Sequence, residues 1–373
     1  MYSLPWIRLG IVFLGCLQFK SAIASDELAR AQIALNTLQT WYNTTSGLWD
    51  TCGWWNGANC MTVIADLAQV DSSVGDLATG VFQNTLVQAP AYNPNPGPEN
   101  RTQARVTDGV NAVNWLDSAY DDDGWWALAW IAAYDVTKDS TYLTLAQGIF
   151  ANLAKVWGTR CGNGGIYWST TSSYVNAITN ELFLSVAAHL ANRASSDVEK
   201  EDYVQWAQKQ WTWFSTQDFF GPDYTINDGL LDNCQNNKQT VWSYNQGVIL
   251  GGLVELNRAA PNQTYLDWAN RIAQAAINKL ADANLVIHDV CEPHCAPDGT
   301  QFKGIFIRNL KSLQMASPNA VYQRVITSCA DSIWTNDRKP DNELGVNWAG
   351  PVASVDASTH SSALDALIAA IGV

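Results

Sequence analysis

Charged residues are scarce in this sequence, and the motifs of several common chemistries are missing. Only 15% of the 373 residues are charged, and the four histidines are scattered along the chain. We find no phosphate-binding glycine loop, no Ser-His-Asp arrangement and no spacing typical of zinc ligands. We therefore expect no metal and no cofactor.

Basic residues are the scarcer of the two charged classes. There are 21 Lys and Arg residues against 35 Asp and Glu residues, which gives a net charge of −14. Such a surface repels polyanions, so the composition disfavours nucleic acid and anionic membranes as partners. It does not disfavour neutral sugars.

No hydrophobic run has the length of a comfortable membrane span. Arg8, the apolar run 9–17 and the small residues 22–24 instead have the pattern of a secretory signal peptide. The apolar residues 363–373 are interrupted by Asp365 and resemble a last core helix more than a glycolipid-anchor signal. We therefore expect a signal peptide at 1–24, a single domain at 25–373, and a secreted or cell-wall protein with no stable membrane insertion.

Seven cysteines remain after residue 24, which suits an oxidising compartment. We expect local disulfides between Cys52 and Cys60 and between Cys291 and Cys295. The connectivity of the remaining cysteines stays open. The triplets Asn43-Thr44-Thr45, Asn100-Arg101-Thr102 and Asn262-Gln263-Thr264 are possible glycosylation sites.

Helical periodicity dominates the chain, and no strand pattern of any length competes with it. Helices that are apolar nearly all round alternate with amphipathic ones, at a spacing of roughly 60 residues between like members. A helix that is apolar on every side must be buried. We therefore predict an all-α fold, an (α/α)6 barrel of six inner and six outer helices. The predicted helices are about 26–42, 61–70, 74–87, 121–136, 141–157, 175–192, 198–216, 244–257, 263–280, 302–313, 320–334 and 358–371.

The loops that lead into the predicted inner helices are rich in aromatic residues. Since those helices begin on the same side of the barrel, their loops should converge on one face. Indole rings stack on sugar rings, and neighbouring amides and carboxylates bind hydroxyls, so this composition is typical of a polysaccharide cleft. About half of these aromatics could still be ordinary core. The aromatics in question are Trp54, Trp55, Trp125, Trp126, Trp168, Trp242 and Tyr244.

Three adjacent carboxylates, Asp121, Asp122 and Asp123, occupy the first turn of one predicted inner helix. Aspartate there can simply cap the helix and complement its dipole. Three like charges in one cleft would also raise the pKa of at least one of them. Two carboxyl groups with separated pKa values are what cleavage of a glycosidic bond requires.

Four segments together resemble glycoside hydrolase family 76, the endo-α-1,6-mannanases. They are Tyr120 to Trp126, Gly164 to Trp168, Asn227 to Leu230 and Tyr244 to Gly247. The resemblance implies an (α/α)6 barrel and a retaining enzyme that acts on α-1,6-linked mannose chains. It also implies Asp121 as nucleophile and Asp122 as general acid/base, with the pair Asp122 and Asp123 as the alternative register. The sugar-binding residues it suggests are Asp123, Trp125, Trp126, Trp168, Asp228, Trp242, Tyr244, Asn245, Gln246 and Arg308.

Three functions follow from this pattern. The first is a retaining endo-α-1,6-mannanase, expected to work as a monomer on α-1,6-mannan or a mannose-containing glycan. The second keeps the same site but makes the protein a cell-wall transglycosylase that acts on the mannose core of glycolipid-anchored mannoproteins. The third is a non-catalytic mannan-binding barrel, in which Asn245 and Gln246 could merely cap their own helix.

Overall fold

The fold consists almost entirely of α-helices. A computed structural model describes residues 25–96 and 109–373. The expected signal peptide and the acceptor triplet at Asn100 lie outside these residues. Within them, α1 covers residues 25–38 and eleven further helices follow. These are α2 (Trp54–Val70), α3 (Gly75–Gln88), α4 (Tyr120–Thr137), α5 (Ser140–Lys155), α6 (Ala177–Ala191), α7 (Asp197–Thr216), α8 (Ser243–Ala259), α9 (Gln263–Leu280), α10 (Phe302–Ala316), α11 (Ala320–Asn336) and α12 (Ala357–Ala370).

The even-numbered helices form a closed inner ring. Each packs against the next in the order α2, α4, α6, α8, α10 and α12, and α12 packs back against α2. The odd-numbered helices pack outside them: α1, for example, contacts α12 through the hydrogen bond between His360 Nε2 and the Ala34 carbonyl. The predicted (α/α)6 barrel is therefore confirmed.

Burial explains which helices lie inside. Every residue of α12 is buried, and His189 is the one residue of α6 that is not. The outer helix α9 instead buries one stripe at three- and four-residue spacing, from Tyr265 to Ile277. The apolar C-terminal segment is thus the core helix α12. In the described residues, no helix combines the length and hydrophobicity needed to cross a bilayer.

Short strand pairs occur in the loops between the helices. Strand β1 (Tyr42–Asn43) pairs with β2 (Leu48–Trp49), and β3 (Val175–Asn176) pairs with β4 (Gly229–Leu230), both antiparallel. Strand β3 takes the first two residues of the helix that we predicted from 175. It ties the loop before α6 to the loop before α8, and so braces one end of the barrel.

The start of α2 differs from the prediction. The helix begins at Trp54, seven residues before the predicted start at 61, so Trp54 and Trp55 are helical and do not lie in a loop. Gly57 and two asparagines weaken the local helix propensity there. The Asn56 side chain closes the first turn by accepting a hydrogen bond from the Gly53 amide at 3.2 Å. Burial in the barrel outweighs the weak propensity.

The disulfide prediction was half right. Cys291 and Cys295 are bonded, as predicted, but Cys52 and Cys60 are both free. Cys60 lies in the second turn of α2 with Sγ 3.9 Å from the Ala357 carbonyl, and Cys52 Sγ faces the Trp49 carbonyl. The two thiols are neighbours without a bond between them, and the Cys60 thiol raises the pKa of Cys52. The second disulfide joins Cys161 to Cys234, across 73 residues.

Candidate active site

The first turns of the inner helices meet at one end of the barrel. Trp55 of α2 stacks on Trp125 of α4 with ring centroids 5.6 Å apart, and it also contacts Phe302 of α10. Phe302 in turn stacks on Tyr244 of α8 at 3.7 Å. Four helices of the inner ring therefore contribute aromatic rings to the same face, as the sequence predicts.

The three aspartates lie in the first turn of α4, and the N-cap of that helix is Ala119, which has no capping side chain. Asp121 is half-buried, and its Oδ1 has no hydrogen-bond partner in the described part of the chain. The indole of Trp168 lies beside the same carboxyl group and opposes the rise in the pKa of Asp121 that burial causes. The backbone amides of Asp121 and Asp122 oppose the same rise, so this carboxyl group also interacts with the first turn of its own helix.

Asp123 is more deeply buried than the other two aspartates. It is 2% exposed, and its Oδ1 accepts a hydrogen bond from the Asp117 backbone amide at 2.7 Å. A carboxylate that holds the preceding loop is not available to a sugar. Asp123 therefore differs from Asp121 and Asp122 in that its carboxylate is used to hold the preceding loop.

In three further inner helices, the side chain of the fourth residue also hydrogen-bonds the backbone of a preceding loop. Asn180, fourth in α6, binds both backbone groups of Ile166 at 2.8 and 3.0 Å. Gln246, fourth in α8, binds both backbone groups of Ile226 at 2.9 and 2.8 Å. His360, fourth in α12, accepts a hydrogen bond from the Leu344 amide. Gln246, which the resemblance suggested for sugar binding, is therefore occupied within the protein.

Two other suggested sugar ligands are buried or distant. Asn245 is 0% exposed, and both its amide atoms lack a partner among the described residues, so its side chain lies beneath the accessible surface. Arg308 lies further along α10, where it hydrogen-bonds Asn59 and pairs with Asp365 at 3.2 Å. The geometry therefore supports neither of them as a residue of the open face.

The tryptophans fall into two groups. Trp126 is 0% exposed and packs among Trp54, Trp115 and Trp130, so it belongs to the core. Trp168 is 42% exposed beside Asp121, and its ring is free to stack on a ligand. Trp242 and Tyr244 are half-buried against Phe302, while Trp125, at 3% exposed, lies beneath Trp55.

Burial and mutual repulsion shift the carboxyl groups unequally. Burial raises the pKa of Asp121 to about 7, against the opposing effect of the nearby backbone amides and the Trp168 indole. Burial also raises the pKa of Asp122 well above its usual range, and the carboxyls of Asp121 and Asp117 add to the rise. Asp121 is therefore the group that ionises more readily, and Asp122 is the group that keeps its proton.

Asp228 belongs to the same face. It accepts a hydrogen bond from the Tyr174 hydroxyl, which Asn237 also binds at 2.8 Å. Burial raises the pKa of the Tyr244 hydroxyl, and the Asp228 and Asp121 carboxyls raise it further. The loop before α8 thus brings a further carboxylate towards the aspartates of α4.

The structure also adds residues that the sequence did not single out. Asp298, in the loop before α10, accepts a hydrogen bond from the Trp55 indole at 3.4 Å and raises the pKa of Asp122. Asp117, in the loop before α4, acts on both Asp121 and Asp122. Their only sequence signal is their position, shortly before an inner helix. Among residues 25–96 and 109–373, no cluster of His, Cys, Asp and Glu is suited to hold a metal ion.

Comparison with known proteins gives one matching family. A sequence profile described as glycosyl hydrolase family 76 matches residues 24–371. A putative mannan endo-1,6-alpha-mannosidase of Schizosaccharomyces pombe is 29% identical over 80% of this chain and 67% of its own length. The mannan endo-1,6-alpha-mannosidase DCW1 of Candida albicans is also 29% identical, but the match spans 51% of this chain and less than half (46%) of that relative.

A solved structure shares the fold. It is an inactive variant of the GH76A alpha-1,6-mannanase of Salegentibacter sp. HEL1_6, in which two consecutive aspartates are replaced by asparagine, in complex with alpha-1,6-mannotriose. It superimposes with a TM-score of 0.75 over 92% of this chain and 99% of that one, at 20% identity. The similarity supports the barrel architecture.

Proposed function

This chain belongs to glycosyl hydrolase family 76, and from that premise we propose that it is a retaining endo-α-1,6-mannanase. The observation that carries the proposal is the pair Asp121 and Asp122 at an uncapped helix tip, in unequal electrostatic environments. The names of the curated relatives support α-1,6-linked mannan as the substrate.

In the first step, Asp122 donates its proton to the glycosidic oxygen while the Asp121 carboxylate attacks the anomeric carbon. The bond to the leaving sugar breaks, and a mannosyl ester of Asp121 forms. In the second step, Asp122 removes a proton from water, and the resulting hydroxide displaces Asp121 from the anomeric carbon. Two inversions give net retention, and this chemistry suits carboxyl groups about 5 Å apart.

The division of roles follows from the contacts of each group. The Trp168 indole and the first-turn amides stabilise an anion at Asp121, which suits a nucleophile. Asp122 is surrounded by other carboxyls and keeps its proton, which suits a general acid. Once Asp121 is esterified it is neutral, so the pKa of Asp122 should fall and make it a better base for the second step.

Sugar rings would bind along the aromatic face. Trp168 offers the most exposed ring beside Asp121, and Trp55, Trp242 and Tyr244 continue the surface towards Phe302. Asp228 provides acceptors for hydroxyl groups. The disulfides Cys161–Cys234 and Cys291–Cys295 support secretion into an oxidising compartment, where a wall polysaccharide would be met.

The test compares three matched asparagine variants. Asp121→Asn and Asp122→Asn should each lower the release of reducing ends from unbranched α-1,6-mannan by at least about a thousandfold. Asp123→Asn should retain activity within about tenfold, because asparagine can still accept from the Asp117 amide. Full activity in Asp121→Asn or Asp122→Asn would refute the assignment, and a dead Asp123→Asn with an active Asp121→Asn would shift the pair by one residue.

The same assay separates hydrolysis from transfer and from binding alone. Proton NMR of the first product should show the α-anomer, as retention requires. Adding an acceptor oligosaccharide tests transglycosylation. If transfer products exceed hydrolysis products, the sugar and not water is the preferred acceptor. Binding of α-1,6-mannotriose without any turnover in the wild type would identify a non-catalytic barrel.

A further inference from the structure

A cavity lies inside the barrel, towards the end opposite the aspartates. It has a volume of about 260 Å³ and is lined by the later turns of α2, α4, α6, α8 and α10. Asp135, on its wall, follows Asp121 by 14 residues of α4, which corresponds to about 21 Å along the helix axis. Trp125 lies between the two regions, because it lines this cavity and also stacks under Trp55.

Small side chains keep the cavity open. Ala132 of α4, Ser185 of α6 and Gly251 of α8 all line it. A Cβ atom at Gly251 would come within 1.9 Å of Asn309 Oδ1, so no larger residue fits there without rearrangement. The inner ring therefore encloses space at this level, where larger side chains would have filled it.

The charged groups on the cavity wall largely neutralise one another. Arg193 binds Asp135 at 2.9 Å and Glu255 at 3.3 Å, and Arg258 binds Glu255 at 2.6 Å. Arg308 pairs with Asp365, which lies behind it on α12. A ligand here would meet fixed donors and acceptors with little net charge, which disfavours a strongly charged ligand.

One buried polar atom on this wall has no partner in the described part of the chain. Nδ1 of His189 is shielded from solvent and makes no hydrogen bond, and the half-buried Asp66 side chain lines the same cavity. His189 Nδ1 lies 3.8 Å from Glu255, but burial lowers the pKa of His189 to about 4, so the ring is neutral at physiological pH. Buried polar groups are normally hydrogen-bonded, so His189 Nδ1 calls for a partner, and Asp66 offers further acceptors in the same cavity.

We propose that this cavity is a second binding site, for a small neutral polyol such as a single sugar ring. Hydroxyl groups both donate and accept, so they can satisfy Asp66 and His189 while accepting from the Arg308 guanidinium. The volume lies just below the range of drug-sized pockets, which favours one ring over an oligosaccharide. The site does not depend on the proposed catalytic activity.

The test uses D-mannose and glycerol as probes. A crystal of the wild-type protein soaked in D-mannose should show one ring in the cavity, in contact with Asp66 and His189. Ordered water alone in the cavity, after soaking with either probe, would overturn the proposal. The result is independent of mannan cleavage, because Asp121, Asp122 and Asp123 do not line this cavity.

A second test of the cavity site measures the binding of D-mannose to matched variants. With the cleft saturated by α-1,6-mannotriose, titration of D-mannose into Asp66→Asn should show affinity about tenfold weaker than in the wild type. Asp76→Asn, the same change at an exposed position of α3, should bind like the wild type. Ala132→Leu should abolish this binding by filling the cavity, and equal affinity in all four proteins would refute the site.

Discussion

The position of the Trp168 indole beside the Asp121 carboxyl leads to a testable prediction about the pH dependence of catalysis. Burial raises the pKa of Asp121 to about 7, and the Trp168 indole opposes the rise by stabilising the anion. The variant Trp168→Phe keeps an aromatic ring for stacking but removes the N–H donor. Without the donor the anion is less stable, so the pKa of Asp121 should move further upward.

The size of the shift follows from the exposure of the donor. A buried hydrogen bond to a charged group contributes roughly 1.5–3 kcal/mol. Trp168 is 42% exposed, so water can partly replace the lost indole donor. We therefore expect the anion of Asp121 to lose about 1.4 kcal/mol of stabilisation, which corresponds to about one pKa unit. The midpoint of the acid limb should therefore move from about 7 to roughly 8.

The assay is kcat/KM against pH on a linear α-1,6-mannose oligosaccharide, which reports the ionisation of the free enzyme. Because Asp121 must be ionised to attack, Trp168→Phe should lose about tenfold in kcat/KM well below the midpoint and less above it. Trp242→Phe is the matched control: this ring packs on Phe302, and the change should leave the midpoint in place. An acid limb that stays unmoved in Trp168→Phe, or that shifts equally in both variants, would refute the assignment.

Three further predictions concern stability and the wall of the site. Burial raises the folded-state pKa of Asp121 from 3.8 to about 7, so ionisation of Asp121 opposes folding as the pH rises through that window. Asp121→Asn should therefore raise Tm at pH 8 relative to the wild type and leave Tm nearly unchanged at pH 3. An equal Tm at pH 8 would contradict this. Replacing Cys161 and Cys234 by serine should lower the free energy of unfolding by about 4 kcal/mol, against about 2 kcal/mol for Cys291 and Cys295, because the bridged segments differ in length (73 against 4 residues). Denaturant unfolding of the two double variants measures both losses. A larger loss from the short bridge would count against this reasoning. Gln246→Leu leaves both backbone groups of Ile226 without the side chain that binds them, so it should lower the free energy of unfolding by at least about 2 kcal/mol. The KM for mannan should stay unchanged in the folded fraction. A raised KM at full stability would instead indicate that Gln246 binds the sugar.

The barrel itself could be predicted from the sequence for a simple physical reason. A helix that is apolar on every side can only be buried, and the alternation of such helices with one-sided ones leaves few arrangements besides two concentric rings. The bounds of α9, at Gln263–Leu280, agree with the predicted ones, because its stripe of buried residues is a local signal. The start of α2 was missed, since weak local propensity there is overcome by burial that only the assembled barrel provides.

The chemistry of the site was predicted in outline, because adjacent aspartates beside aromatic residues are visible in a linear pattern. The direction of each side chain was not visible. Asp121 and Asp123 are the same residue type two positions apart, yet Asp121 is half-buried with an unpartnered Oδ1, and Asp123 is buried and holds the Asp117 amide. Helix geometry turns successive side chains by about 100°, so neighbouring residues serve different surfaces.

Composition and periodicity by themselves determined that this chain is a helical barrel with a carboxylate-bearing helix tip among aromatic loops. Only the tertiary structure decided which polar groups remain free at that tip, which are consumed in holding loops, and that the barrel keeps a polar cavity at its other end. The reason is that sequence patterns report which residues are buried, whereas the partner of a buried polar group comes from a distant part of the chain. Asn56 and Gln301, 245 residues apart and joined by a hydrogen bond of 2.8 Å, show how far that distance can reach.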